Sequence, residues 1–125
     1  MTAGKFATSV SCIDGRSQSP LAEWIRKNHS VDYVDTITEP GVDKIISENS
    51  DLESIKSKVS ISINSHKSEL IIVSGHYNCA ANPVSDEEHI SLIKKGVEVI
   101  SSWNLGVKVI GVWVDGSWKV NPVQV

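Results

Sequence analysis

Two short segments carry the side chains best suited to chemistry: Cys12-Ile13-Asp14-Gly15-Arg16 and Gly75-His76-Tyr77-Asn78-Cys79. The second sets an imidazole and a thiol three residues apart, close enough to grip a single ion, and the first adds another thiol. Zinc favours such nitrogen and sulfur donors in tetrahedral geometry, and three protein ligands leave a fourth position open, as catalytic zinc sites do. His-x-x-Cys alone is a weak signal, and so is Cys-x-Asp-x-Arg. Together they use both cysteines of the chain. The expectation is that Cys12, His76 and Cys79 share one Zn2+ ion. Plainer readings stand beside it: two cysteines buried as small hydrophobes, a disulfide, a loop histidine capping carbonyls, and a surface ion pair between Asp14 and Arg16.

These segments are far apart in sequence, so the elements around them must bring them together. Lys5 to Cys12 reads as a short strand that breaks at Asp14-Gly15. Pro20, Leu21, Trp24 and Ile25 mark a short helix. Val31 to Thr38 alternates as a second strand, ended by Glu39-Pro40-Gly41, and Val42, Ile45 and Ile46 suggest another short helix. Ser50 and Glu53 form a capping-box pattern ahead of Leu52, Ile55, Val59 and Ile63 at helical spacing. Leu70-Ile71-Ile72-Val73 is the third strand, apolar enough to be buried on both faces. Ser85 and Glu88 form a second capping box. Ile90, Ile93, Val97, Ile100 and Trp103 follow on one helical face, with Gly106 placed to end the helix. Val107 to Val114 is the fourth strand, and Asp115-Gly116 turns it into a fifth from Ser117 to Val120.

Strands alternating with helices predict an α/β fold, a single domain over residues 1–125. The sheet is expected to be parallel in the order 2-1-3-4, with the fifth strand an antiparallel edge and helices on both faces. In that order the sheet changes its direction of growth between the first and third strands, which opens a crevice at their carboxyl ends. Cys12 and His76 both fall there.

The 125 residues suffice for one hydrophobic core, and 40% hydrophobic with 22% charged content is ordinary for a globular protein. A formal net charge of -3 and the lack of any basic run give no reason to expect a nucleic-acid partner. No stretch reaches the length of a membrane span, so no membrane partner is expected. The opening Met1-Thr2-Ala3-Gly4-Lys5-Phe6 lacks the features of a secretory leader, so a cytoplasmic location is expected. His29, His66 and His89 lack ligand spacing and read as exposed or partly exposed; His89, early in its helix, is either a proton shuttle or, the favoured reading, part of a solvated face. The four tryptophans read as core or interface residues, with Trp113 and Trp118 placed for dimer contacts. Tyr77 and Asn78 either line a pocket or only shape their loop.

The two motifs, followed by the terminal Val107–Gly116 segment, resemble the β-carbonic anhydrases. The resemblance implies Cys12, His76 and Cys79 as zinc ligands, Asp14 and Arg16 as a pair beside the metal, and assembly as a homodimer. The implied reaction is the reversible hydration of carbon dioxide to bicarbonate by a zinc-bound hydroxide, faster as pH rises. Asp14 would accept the hydroxide's hydrogen bond while Arg16 keeps it ionised, or would itself become a fourth ligand in a closed, inactive state. The chain departs from the family's pattern in four places. With the first strand expected to begin near residue 5, the family's amino-terminal helical arm is not expected here; Thr38-Glu39-Pro40-Gly41 only echoes the family's Arg-Asn-Ala-Gly, Gly15 stands where serine is common, and Ala80-Ala81 replace glycines. Two alternatives therefore remain: a carbonyl sulfide or carbon disulfide hydrolase on the same zinc scaffold, and a non-catalytic zinc-binding or regulatory module.

Overall fold

The apolar run beginning at Leu70 becomes the centre of a five-stranded sheet, since a strand covered on both faces needs hydrophobic side chains in both directions. The computed structural model describes residues 4–125; Met1 to Ala3, within the stretch read above for a leader, lie outside the described residues. In chain order the elements are β1 (Phe6–Ser11), α1 (Gln18–His29), β2 (Tyr33–Thr38), α2 (Val42–Glu48), α3 (Glu53–His66), β3 (Leu70–His76), α4 (Asp86–Ser101), β4 (Lys108–Val114) and β5 (Val120–Val123). The strands stand in the order β2-β1-β3-β4-β5. All neighbours pair in parallel except β4 and β5, which are antiparallel. Both the strand order and the antiparallel edge match the expectation.

Alternation along β3 distributes its side chains between two cores. Ile71 and Val73 join Val10 and Ile37 under α2, α3 and α4, which contribute Ile46, Ile55, Val59, Val97 and Ile100. Leu70 and Ile72 face the other way with Ala7, Val112 and Val114, covered by Leu21 and Ile25 of α1. The connection after β1 thus crosses one face, and those after β2 and β3 cross the opposite face. This switch between β1 and β3 parts their loops at the carboxyl ends.

Local differences from the sequence reading have local causes. α3 is not capped by Ser50. Asn49 and Asp51 both adopt left-handed backbone, Ser50 is left exposed outside the helix, and Leu52 takes the cap position with its side chain in the core. Burying that leucine outweighs the hydroxyl cap. α4 stops at Ser101 rather than running on toward Gly106, because Trp103 and Asn104 close a tight turn through the carbonyls of Ile100 and Ser101. β5 begins at Val120, not Ser117. Asp115 Oδ1 accepts from the backbone amides of Ser117 and Lys119, and Trp118 is left-handed, so the turn is wider than Asp115-Gly116. Trp113 is buried and tilts against His89, with ring centroids 5.1 Å apart, so it is no surface contact for a partner. His89 itself is 1% exposed, not solvated.

The cap on α4 does form: Ser85 is extended and its hydroxyl accepts from Glu88 N at 3.1 Å. Since α4 packs on the sheet and anchors the loop after β3, this cap carries weight. Ser85→Ala is expected to lower stability by about 1 kcal/mol, read as a lower urea midpoint at unchanged slope. An unmoved midpoint would show that the cap contributes nothing.

Candidate metal centre

Cys12 follows the last residue of β1, and His76 is the last residue of β3. A two-residue turn after His76 leads to Cys79, with Asn78 in left-handed backbone at φ 59°. The three side chains are all buried, and their donor atoms all lie within 4.8 Å of one another. Both thiols are free, with sulfurs 3.9 Å apart. Two sulfurs sharing a tetrahedral zinc at bond lengths near 2.3 Å would be about 3.8 Å apart. The cysteines are therefore free thiols rather than a disulfide, at a separation that a shared ion would fit.

The imidazole shows the clearest sign of an unmet need. His76 Nδ1 lies 2.8 Å from the Tyr77 carbonyl, which can only accept, so Nδ1 carries the hydrogen. Nε2 is left with a lone pair, is buried, and has no partner among the described residues. Orienting a ligating histidine through its second nitrogen is how metal sites fix the tautomer. An unsatisfied buried acceptor is otherwise costly. A cation between the two sulfurs and Nε2 would remove that cost.

Asp14 and Arg16 form the rim. Arg16 Nε donates to Asp14 Oδ1 at 3.0 Å and Nη2 to Oδ2 at 2.7 Å, a bidentate pair. Asp14 Oδ2 lies 3.9 Å from His76 Nε2. The guanidinium is further held by the Asn78 side-chain and backbone oxygens and lies over the Trp118 ring, 4.7 Å from its centroid. Its hydrogen bonds bring the Asp14 carboxyl down from an ordinary 3.8 to about 2. Burial, and then the neighbouring Cys12, push the Cys79 thiol up, while the amides of Ala81 and Asn82 draw it partly back. Gly41 N donates to Cys12 Sγ at 3.4 Å.

A family model described as "Putative carbonic anhydrase" matches residues 2–124. The chain belongs to that family, and its fold is that of the β-carbonic anhydrases. Among solved structures it is similar to β-carbonic anhydrase isoform I of Trichomonas vaginalis, at 16% identity and a TM-score of 0.66, covering 98% of this chain and 87% of that one. It is also similar to a carbonic anhydrase from Glaciozyma antarctica, at 12% identity and a TM-score of 0.64, covering 94% and 81%. The tetrameric β-carbonic anhydrases of Sordaria macrospora match at 14% identity and a TM-score of 0.61, covering 100% and 83%. At such identities the likeness is one of fold. No curated protein matches the sequence.

The structure brings all five residues picked from the sequence to one place, and adds others. Asn78, read as lining a pocket or shaping its loop, is a partner of Arg16. Trp118, expected at an interface, is half-buried at the rim. Gly41, Asp43, Asn82 and His89 were not picked out as a group. Only His89 left a trace, since it lies four residues before Ile93 and eight before Val97, on the buried stripe of α4.

The Asp14 pair has a pH signature with a definite sign. A depressed carboxyl contributes stability that is fully present above its unfolded value, and this stability is lost as pH falls through the folded value of about 2. In Arg16→Ala, carbon-detected titration should place Asp14 back near 3.8. A titration point unmoved by the substitution would show that Arg16 is not the cause.

Proposed function

We propose that this chain holds one zinc ion between Cys12 Sγ, Cys79 Sγ and His76 Nε2 and uses it to hydrate carbon dioxide reversibly to bicarbonate. The observation that carries the reading is the orphaned Nε2, buried against two free thiols. The donor chemistry fits zinc, whose preferred ligands are thiolate and imidazole. Family membership supports the reaction.

Zinc bound there supplies a Lewis acid that makes a water molecule a nucleophile near neutral pH. The protein's part is to hold and orient. His76 is presented through the Tyr77 carbonyl, and the Gly41 amide supports the Cys12 sulfur. Asp14, held as a carboxylate far below neutral pH, can accept a hydrogen bond from the reacting water at Oδ2 and turn its lone pair toward the gas. Arg16 holds that carboxylate by two hydrogen bonds and is itself held by Asn78 and Trp118. This supports the orienting role for Asp14 over direct ligation of the metal, since ligation would require Arg16 to release it. Exposed Ile13 and Tyr77, next to the donors in sequence, are the apolar surface that assembly into a homo-oligomer would cover.

The wild-type chain should bind about one zinc and hydrate carbon dioxide in stopped flow, and Cys79→Ala should lose both. Asp14→Asn should keep the zinc and lose roughly 100-fold in hydration. Zinc bound without turnover from neutral to alkaline pH would contradict the reading, as would full activity in Asp14→Asn.

A further inference from the structure

We infer that Asp43 is a positioning residue for the metal ligands, locking together, through Asn82, His89 and contact with Gly75, the three backbone segments that bear or support Cys12, His76 and Cys79. The inference rests on the zinc reading above and deepens it.

Asp43 lies in the first turn of α2 and is 2% exposed. A carboxylate so placed is costly unless every lone pair finds a donor. Here each oxygen does. Oδ1 accepts from Asn82 Nδ2 at 3.0 Å and from Lys44 N at 3.0 Å, and Oδ2 pairs with His89 Nδ1 at 2.5 Å. Asn82 and His89 are themselves 2% and 1% exposed. Trp113 of β4 packs on the far side of the imidazole.

Three neighbouring positions, Asn82, Gly41 and Gly75, lead to the three ligands. Asn82 closes the loop that carries Cys79, and its own amide, with that of Ala81, hydrogen-bonds the Cys79 sulfur. Two residues before Asp43, Gly41 gives its amide to the Cys12 sulfur. Gly41 is left-handed at φ 59°, and a Cβ there would come within 3.2 Å of Ala81, so the Cys12 and Cys79 supports touch directly. Gly75, the residue before His76, passes so close that a Cβ on it would lie 2.6 Å from Asp43 Oδ2. One buried carboxylate thus abuts all three segments. An apolar side chain could fill the volume, but could not direct Asn82 and His89 toward fixed points. With both oxygens of Asp43 bonded, the carboxylate can set geometry in this way, while His89 Nε2 is buried without a partner among the described residues.

Zinc affinity, measured by competition with a chromophoric chelator at fixed pH, separates positioning from mere stability. Asp43→Ala and the milder Asn82→Ala should each weaken zinc binding roughly 10- to 100-fold, the range for groups that orient ligands. With cobalt(II) as the probe, both should shift the thiolate-to-metal absorption. Thr8→Val serves as the comparison. It removes a buried hydroxyl that bonds Ser62 and Ser68 away from the site, and should lower Tm while leaving zinc affinity within about twofold and the cobalt spectrum unchanged. If Asp43→Ala does not fold, Asn82→Ala decides alone. Asn82→Ala with wild-type affinity and an unshifted cobalt spectrum overturns the inference, as does a Thr8→Val loss of equal size. A wild-type chain that takes up no zinc overturns the metal reading itself, and this inference with it.

Discussion

Two thiols and an imidazole nitrogen are held out of water at the carboxyl ends of β1 and β3, and none of the described residues offers that nitrogen a partner. Burying a lone pair in this way costs free energy that a folded chain of this size can spare only a few times over. Much of the architecture is organised around that debt. The parallel strands β1 and β3 lie side by side because the helices after them cover opposite faces, and their loops part where the three donors meet. The Tyr77 carbonyl fixes the tautomer of His76, and the Gly41 amide points at the Cys12 sulfur. A cation placed between them would satisfy all three donors together.

Charge is arranged in opposite senses on the two sides of the cluster. At the rim, the guanidinium of Arg16 draws the Asp14 carboxyl far down, so that it remains an acceptor. Inside, burial and the second thiol push the Cys79 proton to be held more tightly. Metal binding must displace that proton, so affinity is coupled to pH while the orienting carboxylate is not. The two tasks, binding a cation and presenting an acceptor, are thereby separated by only a few ångströms.

The fold was legible because its signals are local and strong. An apolar run such as Leu70–Val73 can hardly be anything but a central strand, and alternating strands and helices leave few topologies. The donors were legible because cysteine is scarce here and both copies fall in ligand-like spacing. What escaped was decided by tertiary contact. Ser50 loses the α3 cap to Leu52 because the core rewards the leucine. Trp118 takes left-handed backbone in a turn organised by Asp115, which places its ring on Arg16. Asp43 and Asn82 look like surface residues in a one-dimensional reading, and only the crossing of α2 over the loop after β3 buries them. The Ala80-Ala81 pair, read as a departure from the family, has a simple fit: the methyl of Ala81 packs against Gly41, where no side chain intervenes.

The convergence of two sulfurs and one nitrogen on a single ion is open to direct observation by X-ray absorption at the zinc edge of the metal-loaded wild-type protein. Two sulfur scatterers near 2.3 Å and one imidazole nitrogen near 2.0 Å are expected, with a single further light atom completing the shell. A shell built only of oxygen and nitrogen, or one holding a single sulfur, would contradict it.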